Sequence, residues 1–402
     1  MTSEAALGTG RVRDTRLDFF RGLAMFIIFI AHLPLNPWNN SIPARFGPSD
    51  ATEMFVFCSG FASAIAFGGT FLRHGFAIGT LRILQRCWQV YWSHVGLFLT
   101  VAAVSVLGTW WLASGTDYVE VMYLQRFFAE PRQGIVHLLT LTYVPNYFDI
   151  LPMYIVVLAM VPAVMALARV TPAAAIGFSV LLYVAQWTLG WNLPAEWWSD
   201  RPWFFNPFGW QLIFFTGFAF GSGWLPEPPR RRALLWLAAG FVVLMVPLNW
   251  HPIWSSRQWL DDLSLLFVPW KDKTDFGILR YLHFLALAYV ALWLANPRQD
   301  LLRGRWAAPI VLVGQQALPV FMWSMALAWT LGMVLDTVGR DWLTVTLANL
   351  GGFATLVAVA ALASVVKAQP WRQRERRVGH GRRHEGARTG GSPITPQLTP
   401  GE

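Results

Sequence analysis

The chain has 402 residues, of which 55% are hydrophobic and only 13% are charged. Soluble domains carry about 25% charged residues, so this composition excludes an ordinary soluble globular protein. Apolar runs of about 18 or more residues recur along the chain, which indicates a polytopic helical membrane protein.

Ten apolar segments predict an all-α, polytopic transmembrane helical bundle. In chain order they are residues 15–34, 50–70, 87–110, 149–168, 172–191, 206–225, 233–250, 278–296, 309–334 and 344–366. The first segment has no small-residue cleavage site, so we expect a retained span rather than a signal peptide.

The positive charges predict the orientation of these spans. With the N-terminus inside, 21 of the 31 Lys and Arg residues lie in inside segments and nine in outside segments, while Arg21 lies within the first span. Such a bias is typical of the cytoplasmic side. We therefore expect an even number of spans with both termini inside.

The composition of the chain predicts three regions. Residues 1–13 are expected to form a cytoplasmic tail, residues 14–368 the transmembrane domain, and residues 369–402 a disordered basic cytoplasmic tail. The basic tail suits contact with anionic lipid of the bilayer. No aromatic residues are interleaved with its basic run, so we expect no nucleic-acid partner.

Three ionisable residues share one face of the first predicted span: Asp18, Arg21 and His32. Asp18 and Arg21 are about one helical turn apart, and His32 is offset from Arg21 by only about 20° around the helix. His32 lies roughly 16 Å further along the axis. Intramembrane ionisable residues are energetically costly, so this face is a candidate functional site, although Asp18 also has the spacing to pair with Arg21.

The second predicted span opens with two acidic residues, Asp50 and Glu53, on one helical face. His32 is expected to end the preceding span nearby, so a carboxylate of this pair is predicted to orient its imidazole as a general base. The alternative for Asp50 is a helix N-cap.

Weaker candidates begin other spans. Arg86 has the position to contact an anionic ligand from the cytosol, although a positive-inside role explains it equally. Asp149 is a candidate substrate contact or a helix N-cap. Arg280 and His283, three residues apart, suit a carboxylate or a sugar, and Trp210 suits a sugar face.

No zincin, CxxC or Walker motif is present, so we expect no metal.

These residues carry a family resemblance. The spacing of Arg21 and His32 resembles the Arg-x10-His signature of the acyltransferase-3 group of transmembrane acyltransferases. The segment from Gly314 to Ser324 looks like that group's Gly-x-x-Ser-x-x-x-Tyr-x-x-His stretch, with Ser324 where many members have a histidine.

A closer resemblance is to the OpgC family, the succinyltransferases of osmoregulated periplasmic glucans. It is carried by segments 16–22, 50–60, 149–154, 206–211 and 280–289, and it covers almost the whole membrane domain. The resemblance implies transfer of a succinyl group from cytosolic succinyl-CoA to glucan hydroxyls outside the inner membrane.

The residues and the resemblance together give a working hypothesis. Arg21, with Asp18 and Arg86, is expected at the acyl-CoA site, while His32, oriented by Glu53, acts as the base. The candidate acceptor-binding residues are Asp50, Asp149, Arg280, His283, Trp210 and Ser324. Three alternatives remain: an O-acetyltransferase of the same group, a polysaccharide transporter or flippase that uses the charges as a proton relay, and a non-catalytic sensor.

Overall fold

The computed structural model describes residues 14–369, and these residues fold almost entirely into helices. No strand is found among them beyond an isolated bridge between Pro194 and Pro202. The long helices are α1 (Thr15–His32), α2 (Ala51–Ser63), α3 (Gly69–Trp111), α4 (Ile150–Val170), α5 (Pro172–Leu189), α6 (Pro207–Ser222), α7 (Arg232–Asn249), α8 (Ile278–Ala295), α9 (Ala317–Val338) and α10 (Trp342–Ala368). The predicted all-α bundle is confirmed.

Nine of the ten predicted spans each match one of these helices, whereas the predicted span 309–334 is divided at Gln316 into Ala308–Gln315 and α9. Seven helical segments in the described part of the chain are long and apolar enough to cross a membrane. One of the seven, Ala51–Trp111, contains both α2 and α3. The remaining two helices depart from an ordinary span in identifiable ways: α1 carries three charged residues, and α6 has only 16 residues.

Helices α2 and α3 form one continuous helical segment whose direction changes at Gly75. A π-helical turn, Ala64–Gly68, joins them, and Gly75 has φ 81° and ψ 174°. That backbone conformation is easily reached only by glycine. Because α3 continues from this bend to Trp111, it begins well before residue 87, where the hydropathy alone placed its span.

Shorter helices lie in the connections. They are Pro37–Ser41, Pro43–Arg45, Tyr118–Val121, Gln125–Ala129, Pro131–Leu139, His251–Trp254, Gln258–Leu266, Val268–Lys271, Asn296–Arg298, Gln299–Leu302 and Ala308–Gln315. The last of these precedes α9 and packs along α1. The predicted cytoplasmic tails, residues 1–13 and 369–402, lie outside the described residues except for residue 369.

Local sequence signals account for where the helices begin and end. Helix α5 starts after Thr171, whose side chain accepts a hydrogen bond from Ala174 N (3.0 Å), and Pro172 fills its first turn. It ends at Gly190 in the left-handed conformation. Helix α6 repeats this pattern with Asn206, Pro207 and Gly223.

Glycines let the inner helices approach at backbone distance. A Cβ atom at Gly60 of α2 would overlap the carbonyl oxygen of Phe214 in α6, and one at Gly22 of α1 would overlap that of Ile310. Small residues at such contacts are how membrane helices pack closely. Helices α1, α2 and α6 thus form a tight core, whereas α7 and α8 pack mainly on each other.

Candidate active site

His32 ends α1 with a defined orientation. Its Nδ1 lies 2.8 Å from the carbonyl oxygen of Ile28. A carbonyl only accepts hydrogen bonds, so Nδ1 donates and carries the proton of the neutral ring. Nε2 then keeps its lone pair, which is the protonation state required of a general base.

The ring of His32 is also held from the side by Tyr147. The two ring centroids are 5.3 Å apart in an edge-to-face arrangement. Tyr147 is itself fixed, because its hydroxyl donates to the carbonyl of Met325 in α9 (2.6 Å). Tyr147 has φ 88°, an unusual conformation for a non-glycine residue. Strained residues of this kind concentrate at functional sites.

Hydrogen bonds connect the turn that follows His32 to α10 and to the loop between α9 and α10. Asn36 and Asn349 of α10 exchange side-chain amide hydrogen bonds of 2.9 and 3.1 Å. Arg340 donates from Nη1 to the carbonyl of Pro34 (2.6 Å). His32 is therefore followed by a turn that is held by hydrogen bonds from distant segments.

A cluster of two acids and two cations lies at the N-terminal ends of α2 and α8. Asp50 and Glu53 form the capping box of α2: Asp50 Oδ1 accepts from Thr52 N, and Glu53 Oε2 accepts from Asp50 N, both at 2.7 Å. Glu53 is fully buried and bound by Arg280 through Nε (2.7 Å) and Nη2 (2.6 Å). Lys273 Nζ lies 2.6 Å from Asp50 Oδ2.

This arrangement corrects one prediction. Glu53 was expected to orient His32, but its two oxygens are taken by Arg280 and by the backbone N–H of Asp50. The carbonyl of Ile28 orients the imidazole instead. The capping alternative for Asp50 is confirmed by geometry, and Arg280 is the partner that neutralises Glu53.

Hydrogen bonds to its backbone carbonyls hold the loop that carries Lys273 in place. Its four consecutive carbonyls, from residue 273 to residue 276, each accept a hydrogen bond from α5, α6 or the residue that caps α6. The donors are Trp210 Nε1 (2.9 Å), Asn206 N (3.0 Å), Gln186 Nε2 (3.1 Å) and Tyr183 OH (2.9 Å), in that order. The position of Lys273 is thus set by helices on the other side of the cluster.

Trp210 belongs to this support and not to a binding surface. Its side chain is fully buried, its indole N–H donates to Lys273 O, and its ring packs 4.7 Å from that of Phe276. Ser324 is also fully buried, and its hydroxyl donates to Phe321 O within its own helix (2.8 Å). The structure therefore contradicts the expected substrate contacts of both residues.

One large cavity, of about 1710 Å³, runs from the start of α1 past Ile27 to the start of α2. Its walls are α1, α2, the C-terminal half of α6, α7 and α8. Following the predicted orientation, we call the end at the start of α1 the inner end and the end at the start of α2 the outer end. The inner end is lined by charged residues, namely Asp14, Arg16, Asp18, Arg21, Glu227, Arg230 and Arg303.

The middle of the cavity is apolar, and its outer end is polar. Ile27, Met54, Phe57 and Phe284 line the middle. Asp50 lines the outer end. Of the predicted site residues of α1 and α2, Asp18, Arg21 and Asp50 therefore line one continuous space, whereas His32 and Glu53 do not line it.

Arg21 also borders a second, much smaller cavity. This space of about 30 Å³ is shared with Arg86, Ser59 and Tyr154, and it has room for a water molecule. Arg21 Nε is buried without a hydrogen-bond partner among the described residues. The structure thus brings Arg21 and Arg86 to one place, while Asp18 lies buried on the wall of the large cavity.

Two further candidates lie apart from the large cavity. The Nδ1 of His283 is 2.7 Å from Ser49 Oγ, and its Nε2 is buried without a partner in the described structure. Asp149 is buried and makes no side-chain capping bond to α4, so the N-cap alternative is not realised. Neither residue lines the large cavity, and their expected roles stay predictions.

Sequence reasoning did not single out Tyr147, Asn36, Asn349 or Lys273. Lys273 lies in a mixed-charge run, Lys271–Asp275, whose composition was visible but whose partner in α2 was not. Tyr147 lies 115 residues after His32 along the chain, and no local pattern links them. These residues reach the site through contacts between segments that are far apart in the chain, and local sequence patterns do not report such contacts.

The fold and the site define a class: a polytopic helical membrane protein with a large cavity and a buried cluster of acids and cations at one end of it. The chain belongs to the OpgC family, because the family model described as OpgC protein matches residues 13–368. Membership supports a membrane-associated glucan succinyltransferase role in general terms. No curated protein and no solved structure matches the chain.

Proposed function

We propose that the protein is an integral inner-membrane O-acyltransferase that moves a succinyl group from cytosolic succinyl-CoA to hydroxyls of periplasmic glucans. The observation that supports this most directly is the large cavity, which joins an arginine-bearing inner end to Asp50 at the start of α2. A donor held at one end and an acceptor arriving at the other can react without either crossing the membrane.

The inner end suits the phosphates of coenzyme A. Arg21, Arg230 and Arg303 all line it, and Arg21 Nε has no protein acceptor in the described structure. Guanidinium groups bind phosphates through strong, charge-assisted hydrogen bonds. The apolar middle of the cavity then accommodates the pantetheine arm, which places the thioester near the outer end.

The proposed chemistry at the outer end is direct acyl transfer. Nε2 of His32 takes the proton of a glucan hydroxyl as the hydroxyl oxygen attacks the thioester carbonyl carbon. A C–O bond forms, the C–S bond breaks, and coenzyme A leaves as the thiolate. The proton on His32 then passes to that thiolate, so the imidazole returns to its neutral state.

The main rival function is transport of a polysaccharide, with the buried charges as a proton relay. The ion pair between Glu53 and Arg280 favours the enzyme over the transporter. A proton relay needs a carboxylate that is free to exchange protons, whereas Glu53 is held by Arg280 and by the capping box of α2. An O-acetyltransferase of the same family group is the nearer alternative, and it differs only in the donor.

The decisive experiment measures free coenzyme A released by the purified protein in nanodiscs, with succinyl-CoA or acetyl-CoA and with or without glucan. We expect glucan-dependent release with succinyl-CoA, lost in His32→Ala and in His32→Gln. The matched control is His74→Ala, because His74 is exposed and lies outside the cavity walls.

Each other outcome has a definite meaning. Faster release with acetyl-CoA than with succinyl-CoA would make the protein an acetyltransferase. Glucan-dependent release that survives both His32 substitutions would move the base to another residue. Folded protein that binds glucan but releases coenzyme A from neither donor would support the transporter.

A further inference from the structure

Lys273 is a cation with unused hydrogen-bonding capacity next to Asp50. Its Nζ pairs with Asp50 Oδ2 at 2.6 Å, lies 5.7 Å from the centroid of the Phe205 ring and has no second hydrogen-bond acceptor among the described residues. An ammonium group has three donors, so capacity for a further hydrogen bond to a ligand remains. The side chain is 31% exposed, in contrast to the buried Arg280 (8%) behind it.

Lys273 lies where the far end of an acyl group would arrive. It precedes α8 and pairs with Asp50, which lines the outer end of the cavity. A donor that enters with its coenzyme A at the inner end extends its acyl group toward Asp50. The atoms beyond the thioester carbonyl would therefore come within reach of the Lys273 ammonium group.

The cluster is neutral as it stands, since it holds two acids and two cations, and both acids contact Arg280. Arg280 binds Glu53 through Nε and Nη2, and Lys273 pairs with Asp50. Glu53 is thus matched without Lys273, and Asp50 is also 3.5 Å from Arg280 Nη2. An incoming carboxylate can share Lys273 with Asp50 while both acids keep a guanidinium nearby.

The backbone of Lys273 is positioned in advance for this task. The hydrogen bonds to the carbonyls of residues 273–276 hold the loop independently of the Lys273 side chain. A preorganised group loses little freedom when it binds a ligand, so it discriminates well between donors.

We infer that Lys273 is a specificity-determining residue that binds the free carboxylate of a dicarboxylic acyl donor, of which succinyl is one. This inference rests on the proposed acyltransferase function and adds the chemical class of the acyl group. It explains how one cavity would favour a donor with a terminal carboxylate over an uncharged donor of the same length.

The test compares succinyl-CoA with butyryl-CoA, which has the same four-carbon acyl chain but ends in a methyl group. Coenzyme A release is measured for the wild type, Lys273→Met and Lys273→Arg in nanodiscs. We expect Lys273→Met to lower kcat/KM for succinyl-CoA by at least about tenfold, with a much smaller change for butyryl-CoA. Lys273→Arg should keep most of the preference for succinyl-CoA.

The control variant is Lys271→Met. Lys271 lies two residues away, but its Nζ donates to Leu248 O and Ser264 Oγ (both 3.0 Å) rather than to Asp50. It should leave the ratio of the two donors unchanged. Thermal unfolding of each variant shows whether a lost activity reflects lost structure.

The outcomes separate this inference from the proposed function. Equal losses for both donors in Lys273→Met, or an unchanged ratio, would overturn the role of Lys273 while the acyltransferase stands. A wild type that releases coenzyme A from neither donor would overturn the acyltransferase and this inference with it.

Discussion

Arg280 of α8 binds Glu53 of α2 through two donors, Nε and Nη2, which converge on the single oxygen Oε1 at 2.7 and 2.6 Å. Both side chains are almost fully buried, at 8% and 0% exposure. A buried pair of this kind adds little over an apolar pair but is costly to break, because one charge is then left unpaired. The relationship therefore predicts a specific pattern of stability.

We expect Arg280→Met to destabilise the protein by about 3–5 kcal/mol, because Glu53 would be buried without its partner. Adding Glu53→Gln should recover part of that loss, since the second change removes the unpaired charge. Thermal unfolding in detergent of the two single variants and the double variant checks this. Additive losses in the double variant would show that the two side chains do not stabilise each other.

Tyr147 is expected to act as a positioning residue for His32. Tyr147→Leu removes the ring that packs against the imidazole and should lower kcat by about 10- to 100-fold with little change in KM, because a misplaced base reacts slowly. Tyr147→Phe keeps the ring and loses only the bond to Met325 O, so it is the matched control. Steady-state coenzyme A release measures both, and similar losses in the two variants would argue against ring positioning.

Arg21 is expected to bind the donor rather than to react. Arg21→Met should raise KM for the acyl-CoA by about tenfold or more, because a charge-assisted contact to phosphate is lost. Arg298→Met is a suitable control, since Arg298 is exposed, bonds to Leu294 O and does not line the cavity. A lower kcat at unchanged KM for Arg21→Met would contradict the binding role.

Ser324 provides a prediction of no effect. Its hydroxyl bonds only to Phe321 O of the same helix, so Ser324→Ala should change stability by less than about 1 kcal/mol and leave turnover near the wild-type value. Coenzyme A release and thermal unfolding of the variant test this. A loss comparable to that of His32→Ala would restore Ser324 as a candidate site residue.

The helices were predictable because hydropathy reports directly on what a membrane excludes. All ten predicted spans correspond to helices, and Asp50 with Glu53 formed the capping box that their spacing allows. The bend at Gly75 was not predicted. A single glycine in an otherwise apolar segment does not by itself predict a bend in the helix.

The site was predictable only where its residues share one helix. Arg21 and His32 lie on one face of α1 because their spacing fixes that geometry. The partner of Glu53 was assigned wrongly, because Arg280 lies 227 positions away and His32 is the nearer titratable residue along the chain. Trp210 was also misassigned: an indole at a helix start suits a sugar or a buried carbonyl equally, and only the fold shows which is present.

The apolar middle of the cavity has an electrical consequence. Ile27, Met54, Phe57 and Phe284 line the space between its charged inner end and Asp50, and apolar walls raise the free energy of a charge that enters this stretch. Under the proposed function, a succinyl carboxylate has to cross it as an anion. An inside-negative potential favours that outward movement by up to about 2.3 kcal/mol per 100 mV. Transfer by this route would be electrogenic, with a rate that rises as the membrane becomes more polarised.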